Sequence, residues 1–173
     1  EFRRVLFRSA EDWFRWLQKL PKTMLFSTVP DVLGDASATR SMFEEWYPRL
    51  ATIGVPISYV TQDGETVENI PWDRIDWLFI GGTTEHKLGD GLKLAIAAKK
   101  RGRRVHFGRV NSYKRLQICA SVGADSADGA FTRFQPSVNV PIIADKLRKV
   151  RQSQQFSFYS IPLLDETYKS EEK

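Results

Sequence analysis

Hydrophobic and polar positions alternate along the chain with two different periods. In residues 10–20 and 36–53 large apolar side chains recur every three or four positions, which is typical of amphipathic helices. Between such segments lie short apolar runs that end at glycine, proline or aspartate, which is typical of buried strands. The pattern predicts helices at 10–20, 36–53, 88–101, 111–122 and 139–151, strands at 24–30, 57–62, 77–80, 104–110 and 124–129, and one helical turn at 71–76.

Strands that alternate with helices predict an α/β fold with a parallel sheet and helical crossovers. Each predicted strand ends in a polar or glycine cluster: Pro30-Asp31, Gln62-Asp63-Gly64, Gly81-Gly82-Thr83, Arg109-Val110-Asn111 and Asp128-Gly129. A (β/α)8 barrel gathers all its strand ends at one mouth, whereas an open doubly wound sheet uses one crevice. No glycine-rich phosphate fingerprint follows any strand. We therefore predict a partial (β/α)8 TIM barrel of about five C-terminal βα units, with the doubly wound sheet as the alternative.

Composition narrows the class of protein. The chain has 173 residues, of which 42% are hydrophobic and 27% charged, which predicts one globular domain with a core. A single cysteine, Cys119, excludes an intrachain disulfide and a multi-cysteine zinc site, and the two histidines lack metal-ligand spacing. We predict no metal and no cofactor. Apolar runs stay short of the ~18 residues that a membrane span needs, so no membrane contact and a cytoplasmic location are predicted.

The first nine residues, EFRRVLFRS, resemble a translated sequencing adapter of the kind carried into metagenomic assemblies, so residues 1–9 are expected to be non-native. A basic amphipathic start is the alternative. The net charge is +5, and this segment's three arginines and one glutamate supply +2 of it, which leaves weak support for independent nucleic-acid binding. We predict a barrel domain over 10–151 and a polar C-terminal tail over 152–173, and expect that a longer protein continues N-terminally.

Two polar side chains follow the first two predicted strands. Ser27 and Asp31 share one face of the first strand, and Ser58 and Gln62 share one face of the second. If those faces point inward, Asp31 and Gln62 converge at the mouth of the barrel. A carboxylate beside a carboxamide suits recognition of a planar heterocycle, because the first accepts hydrogen bonds and the second donates and accepts them. The alternative for Asp31 is a helix cap.

The segment Gly81-Gly82-Thr83 follows the third strand directly. Glycines there either let a ligand approach the backbone or form a tight turn into the next helix. His86, just beyond, is predicted to be a solvent-facing loop residue. His106 lies in the middle of the fourth strand, where a packed, hydrogen-bonded histidine is the expected outcome and a catalytic one the alternative.

The fifth strand, Ala124-Asp125-Ser126-Ala127-Asp128-Gly129, is too polar to be simple core. Because side chains alternate between the two faces, Ser126 and Asp128 share a face and Asp125 lies on the other. Asp128 stands at the strand end, where a carboxylate is able to act as a nucleophile that forms a glycosyl ester. The alternative is that Asp128 binds loop amides.

The order of these strand-end groups, closing with Gly123-x-Asp125-x-x-Asp128, resembles the queuine/archaeosine tRNA-guanine transglycosylase superfamily. It is closest to the phage and bacterial relatives that insert 7-deazaguanines into DNA. The resemblance implies a (β/α)8 barrel that replaces guanine by a 7-deazaguanine, with guanine or 7-deazaguanine and DNA or tRNA as partners. It implies catalytic roles for Asp128, the nucleophile, and Asp31, and base binding by Gln62, Gly81, Gly82 and Thr83. Secondary candidates are Asp125, Ser126, His106, Arg109 and Asn111.

The chain also departs from that family. Another essential aspartate of the family would lie upstream of Ala10, and the family's zinc module is missing, so we expect no activity from this piece alone. The alternatives are a TIM-barrel lyase or hydrolase for a small polar metabolite, and a non-catalytic module that binds a purine or nucleic acid. An open barrel exposes its edge strands, so association into homo-oligomers is expected.

Overall fold

The computed structural model describes residues 9–133 and 135–156. Eight residues of the segment expected to be non-native, and the predicted tail beyond residue 156, lie outside the described residues. Five strands are formed: β1 (Ser27–Thr28), β2 (Ile57–Thr61), β3 (Trp77–Ile80), β4 (Arg104–Phe107) and β5 (Ser126–Ala127). The helices are α1 (Ala10–Leu17), α2 (Ala36–Ala51), α3 (Thr84–Leu88), α4 (Asp90–Lys100), α5 (Tyr113–Ser121) and α6 (Pro136–Phe156), with 3-10 turns at Val67–Asn69, Trp72–Arg74 and Ala130–Arg133.

The five strands form one parallel sheet in the order β1-β2-β3-β4-β5. The predicted α/β class is therefore confirmed. Each strand pairs with the next one along the chain, so the strand order never reverses among the described strands. Consequently the sheet, as far as the described strands form it, lacks the switch point at which an open doubly wound sheet forms its crevice. The edges of this described sheet are β1 and β5.

One face of the sheet carries the main hydrophobic core. The register partners Tyr59, Leu78 and Val105 are completely buried there. Helix α2 packs on β2, and helix α4 packs on β3 and β4. The ring of Phe43 in α2, for example, meets that of Tyr59 edge-on at 5.1 Å. Burying such large side chains supplies the main driving force for folding this layer.

The opposite face is lined by aromatic side chains. The register partners there are Val60, Phe79, His106 and Ser126. The ring of Phe26 lies 5.2 Å from that of His106, and the ring of Phe79 lies 4.5 Å from it. Phe79 of this face lines the same cavity as the polar groups at the strand ends.

Two expectations about side-chain direction are wrong. In β1, Ser27 pairs with Ile57 and Thr28 with Ser58, so Ser27 shares the face of Ile57 and not that of Ser58. His86 is buried in helix α3 instead of standing in an exposed loop. The reason is that Thr83 caps an additional helix directly after β3, and this helix turns the imidazole towards Thr61, with 3.5 Å between His86 Nε2 and Thr61 Oγ1.

Helix boundaries follow local capping. The carboxylate of Asp35 accepts a hydrogen bond of 2.9 Å from the Ala38 amide and so caps α2. The predicted helix 88–101 forms as α4, which Gly89 separates from the additional helix α3. The last helix is longer than predicted, since it begins at Pro136 and extends to Phe156. None of the helices in the described ranges is long and apolar enough to cross a membrane.

Candidate functional site

One cavity of about 970 Å³ opens at the carboxyl ends of the strands. The segment after each of the five strands contributes to its wall, as parallel strands require when their ends meet at one edge. Among the predicted site residues, Asp31, Gln62, Gly81, Gly82, Arg109 and Asp128 line it. The other lining residues are Val32, Leu33, Phe79, Lys87, Gly108, Gly129, Ala130 and Arg133.

The predicted convergence of Asp31 and Gln62 is confirmed. The Gln62 Nε2 amide donates to Asp31 Oδ2 at 2.6 Å, and the Gln62 Oε1 atom accepts from the Gly34 amide at 3.0 Å. Gln62 is only 1% exposed. Its carboxamide is therefore held at both ends, and it fixes the carboxylate of Asp31 at the cavity wall. The alternative role of Asp31 as a helix cap is not realised, because Asp35 caps α2.

The two residues meet by a different route from the one expected. Ser27 and Ser58 lie on opposite faces of the sheet, so the alternation along these two strands is not what brings Asp31 and Gln62 together. Instead the loop between β1 and α2 reaches the end of β2, where its Gly34 amide donates to Gln62 Oε1. In the same loop, the Val32 amide and carbonyl both bind the Thr39 hydroxyl of α2. A carboxylate anchored in this way is a ready acceptor for the N–H groups of a planar ligand.

Gly81 and Gly82 have a structural reason to be glycine that needs no ligand. A Cβ atom on Gly81 would lie 2.7 Å from the Thr61 carbonyl oxygen. Gly82 has a φ of +78°, and its Cβ would lie 2.6 Å from Asp63 Oδ2. Both residues thus allow the turn after β3 to contact the end of β2. Their backbone also lines the cavity, and contact with a base there stays a prediction.

Thr83 binds Asp63 and the start of α3 instead of lining the cavity. Its hydroxyl donates to Asp63 Oδ1 at 2.5 Å and its amide donates to Asp63 Oδ2 at 2.9 Å. The same hydroxyl accepts from the His86 amide at 3.2 Å and caps α3. Although desolvation raises the pKa of Asp63, the hydrogen bonds from Thr83 outweigh it and hold that pKa below its usual value. Thr83 does not line the cavity, so the structure does not bring it to the other predicted base-binding residues.

Asp128 is oriented through both of its carboxylate oxygens. Oδ1 accepts from the Arg109 amide at 2.6 Å, and Oδ2 lies 3.3 Å from His106 Nε2. On the other side of the imidazole, His106 Nδ1 lies 2.8 Å from the Ser126 hydroxyl. As predicted, Ser126 and Asp128 point to the same face. His106 is a packed, hydrogen-bonded histidine that also positions Asp128.

This geometry leaves Asp128 accessible. Its side chain is 56% exposed and lines the cavity, so a ligand there reaches an oriented carboxylate. Such a group is able to serve as a nucleophile or a base. The alternative role, binding loop amides, is also realised, since the Arg109 amide bonds the carboxylate and the Val110 amide bonds the Asp128 carbonyl at 2.6 Å.

Two secondary candidates hold the structure together outside the cavity. Asn111 accepts a 2.8 Å hydrogen bond from the Ala130 amide and so ties the loop after β4 to the segment after β5. Asp125 accepts from the Val105 amide at 2.7 Å and from Lys99 Nζ at 2.8 Å. Asp125 precedes β5 and does not join Asp128 at the cavity, which agrees with the prediction that the two carboxylates do not point to the same face.

Sequence reasoning missed Lys87. This lysine is 8% exposed, lines the cavity, and donates from Nζ to the Gly108 carbonyl at 3.0 Å. Burial lowers its pKa, and the nearby charges of Arg109 and Arg115 lower it further. One signal could have found it: Thr83 is a good N-cap placed directly after a strand, and a helix that starts there carries Lys87 on its first turn.

In the described ranges, no group of three or more His, Cys, Asp and Glu side chains is placed to hold a metal ion. In comparisons with known proteins, the chain matches no protein-family model and no curated protein.

Proposed function

We propose that this chain forms the base-binding and nucleophile part of a base-exchange glycosyltransferase, which replaces guanine by a 7-deazaguanine in DNA or tRNA. One observation carries the proposal. Five of the six residues that the resemblance assigns to base binding and catalysis line one cavity: Asp31, Gln62, Gly81, Gly82 and Asp128.

The proposed architecture is a partial (β/α)8 barrel. It is supported by the consecutive order of five parallel strands, and by a cavity to which the end of every strand contributes. It is also supported by the two faces of the sheet, one buried under α2 and α4 and the other lined by aromatic groups and His106. In a barrel the second face is the interior, and active sites stand at the carboxyl ends of the strands.

Base recognition follows from the Asp31–Gln62 pair. A carboxylate accepts the N1–H and 2-amino hydrogens of guanine or of a 7-deazaguanine, and Gln62 holds that carboxylate in place. Adenine has no hydrogen on N1 and no 2-amino group, so it offers the Asp31 carboxylate neither of these donors. A site arranged to accept hydrogen bonds from a ligand discriminates against an analogue that lacks the donors.

Exchange would proceed in two displacements at C1′ of the nucleotide. An Asp128 carboxylate oxygen attacks C1′, the C1′–N9 bond breaks with its electron pair on guanine, and guanine takes up a proton. The incoming 7-deazaguanine loses a proton from N9, attacks C1′ and displaces the carboxylate. Hydrogen bonds from the Arg109 amide and from His106 orient Asp128 for the first step and stabilise it as a leaving group in the second.

Base binding is tested on the 173-residue chain by calorimetry with guanine, a 7-deazaguanine and adenine. We expect guanine and the 7-deazaguanine to bind and adenine not to bind. Asp31→Asn should weaken guanine binding by about tenfold or more, because it removes a charged hydrogen-bond acceptor. Asp73→Asn, at an exposed carboxylate far from the cavity, is the matched control. Equal affinity for guanine and adenine would contradict the proposed recognition.

Exchange is tested with a chain extended at its N-terminus, because the resemblance implies a further essential aspartate upstream of Ala10. Labelled 7-deazaguanine should enter guanine-containing DNA or tRNA, and the label should be lost in Asp128→Asn. If that variant incorporates label at the wild-type rate, Asp128 is not the nucleophile. Base binding without exchange would instead indicate a non-catalytic purine-binding module.

A further inference from the structure

Three polar side chains form a continuous line of contacts beside the cavity. His106 Nδ1 lies 2.8 Å from the Ser126 hydroxyl, and His106 Nε2 lies 3.3 Å from Asp128 Oδ2. The strand register makes Ser126 the partner of His106 on one face of the sheet, and Asp128 follows two positions later on that face. Of the three, Asp128 lines the cavity and the other two do not. His106 and Ser126 therefore act on a substrate only through Asp128.

Aromatic packing holds the plane of the His106 ring. The residue is 7% exposed, and its ring centroid lies 5.2 Å from that of Phe26 and 4.5 Å from that of Phe79. These contacts do not distinguish the two ring orientations that differ by a half-turn about the bond from Cβ to the ring. The half-turn would put Cδ2 in the place of Nδ1 and Cε1 in the place of Nε2, and a carbon supplies neither hydrogen bond. The contacts with Ser126 and Asp128 therefore select the orientation.

The chemistry of these two partners also assigns the hydrogen on the ring. An ionised Asp128 carboxylate only accepts hydrogen bonds, so the nitrogen that faces it, Nε2 of His106, must carry a hydrogen. In a neutral imidazole the other nitrogen is then an acceptor and needs a donor. The Ser126 hydroxyl is able to donate, and it lies at hydrogen-bond distance from Nδ1. The reverse tautomer would turn the lone pair of Nε2 towards the carboxylate, which is repulsive.

We infer that Ser126 is a positioning residue for base exchange: its hydroxyl donates to His106 Nδ1 and so holds the Nε2–H group of the imidazole towards Asp128. This inference rests on the proposed function and deepens it, because it assigns the group that keeps the proposed nucleophile aligned. The Nε2–H donor is needed in both displacements. It orients the carboxylate before the attack on C1′, and it stabilises the carboxylate that leaves C1′ afterwards.

The first experiment reads the hydrogen on the ring directly. Long-range proton–nitrogen correlation spectra of the isotope-labelled 173-residue chain distinguish a protonated ring nitrogen from a bare one. They are recorded at about pH 8, where an ordinary imidazole is neutral. The chain has two histidines, so His86→Gln assigns the signals. We expect a hydrogen on Nε2 of His106 and none on Nδ1. Ser126→Ala should bring the nitrogen shifts closer together, because the ring loses its anchor, and Ser126→Thr, which keeps a hydroxyl, should restore them.

The second experiment measures base exchange by the N-terminally extended chain. Ser126→Ala should lower kcat by about tenfold and leave KM for the 7-deazaguanine unchanged, because outer contacts of this kind align a reacting group without touching the substrate. Ser126→Thr should recover the rate. The matched control is Ser41→Ala, at an exposed serine of α2 whose hydroxyl donates to the Ser37 carbonyl of the same helix.

Two substitutions of His106 separate alignment from packing. Glutamine places its amide nitrogen near the position of Nε2, whereas asparagine places its amide nitrogen near the position of Nδ1. Both remove the ring from between Phe26 and Phe79, so both should lower stability to a similar extent. His106→Gln should nevertheless retain more exchange activity than His106→Asn, because it keeps a donor for Asp128.

The outcomes separate this inference from the proposed function. A hydrogen on Nδ1 of His106 in the wild-type chain overturns the role of Ser126. So does an unchanged kcat in Ser126→Ala, or a His106→Asn variant that is more active than His106→Gln. If the extended wild-type chain exchanges no base, the proposed function fails, and the spectra alone then decide whether Ser126 holds His106 towards Asp128.

Discussion

Replacing Gln62 by glutamate tests the geometry on which base recognition depends. The substitution keeps the size and shape of the side chain but puts a carboxylate where Nε2 now lies 2.6 Å from Asp31 Oδ2. A favourable hydrogen bond becomes a repulsion between two carboxylates. With about 4 Å between the charge centres and an effective dielectric constant of about 20, the repulsion is about 4 kcal/mol. That energy corresponds to a rise of about 3 pKa units for the pair.

The sign of the pH dependence follows from this shift. A carboxyl group whose pKa is raised in the folded state destabilises the protein only where the unfolded state has lost its proton. The variant should therefore resemble wild type near pH 4 and lose stability as the pH rises, up to about 4 kcal/mol above about pH 7.5. Urea unfolding followed by circular dichroism between these pH values measures the difference.

Two further variants make the result decisive. Gln117→Glu, the same substitution at an exposed position of α5, should leave stability almost unchanged. Adding Asp31→Asn to Gln62→Glu should recover most of the loss, because the hydrogen bond re-forms with donor and acceptor exchanged. A Gln62→Glu variant whose stability runs parallel to that of wild type across the pH range would refute the contact between Asp31 and Gln62.

Two other predictions concern the frame of the site. Gly129→Ala should destabilise the protein by about 1–3 kcal/mol, the usual cost of overpacking. The reason is that the new Cβ would clash with the Val110 carbonyl oxygen. An unchanged midpoint of urea unfolding would contradict the close packing after β5. His86→Gln should reduce the loss of stability between about pH 7.5 and 5, because desolvation lowers the pKa of His86 and the unfolded chain therefore binds a proton that the folded one does not. An undiminished loss in that variant would show that His86 is not buried.

The grouping of the site residues could be foreseen from strand ends alone. Once strands alternate with helices, the sheet is parallel and all its carboxyl ends lie along one edge, so Asp31, Gln62, Gly81 and Asp128 had to lie along that edge. The alternation of side chains along β5 likewise separated Asp125 from Asp128, and the structure agrees with that separation. These inferences need only local periodicity.

Contacts between distant segments decided the rest. The face of Ser27 depends on the pairing of β1 with β2, a register between segments that are about thirty residues apart, and strand alternation in one segment leaves that choice open. The burial of His86 and Lys87 depends on Asp63, which binds Thr83 from the end of the neighbouring strand and anchors the start of α3. The hydrophobic pattern thus determined the five strands, every helix except α3, their order and the edge at which the polar groups gather, because those properties are encoded within each segment. Only the tertiary structure decided which side chains turn into the cavity, because that depends on the register and the hydrogen bonds between segments far apart in the chain.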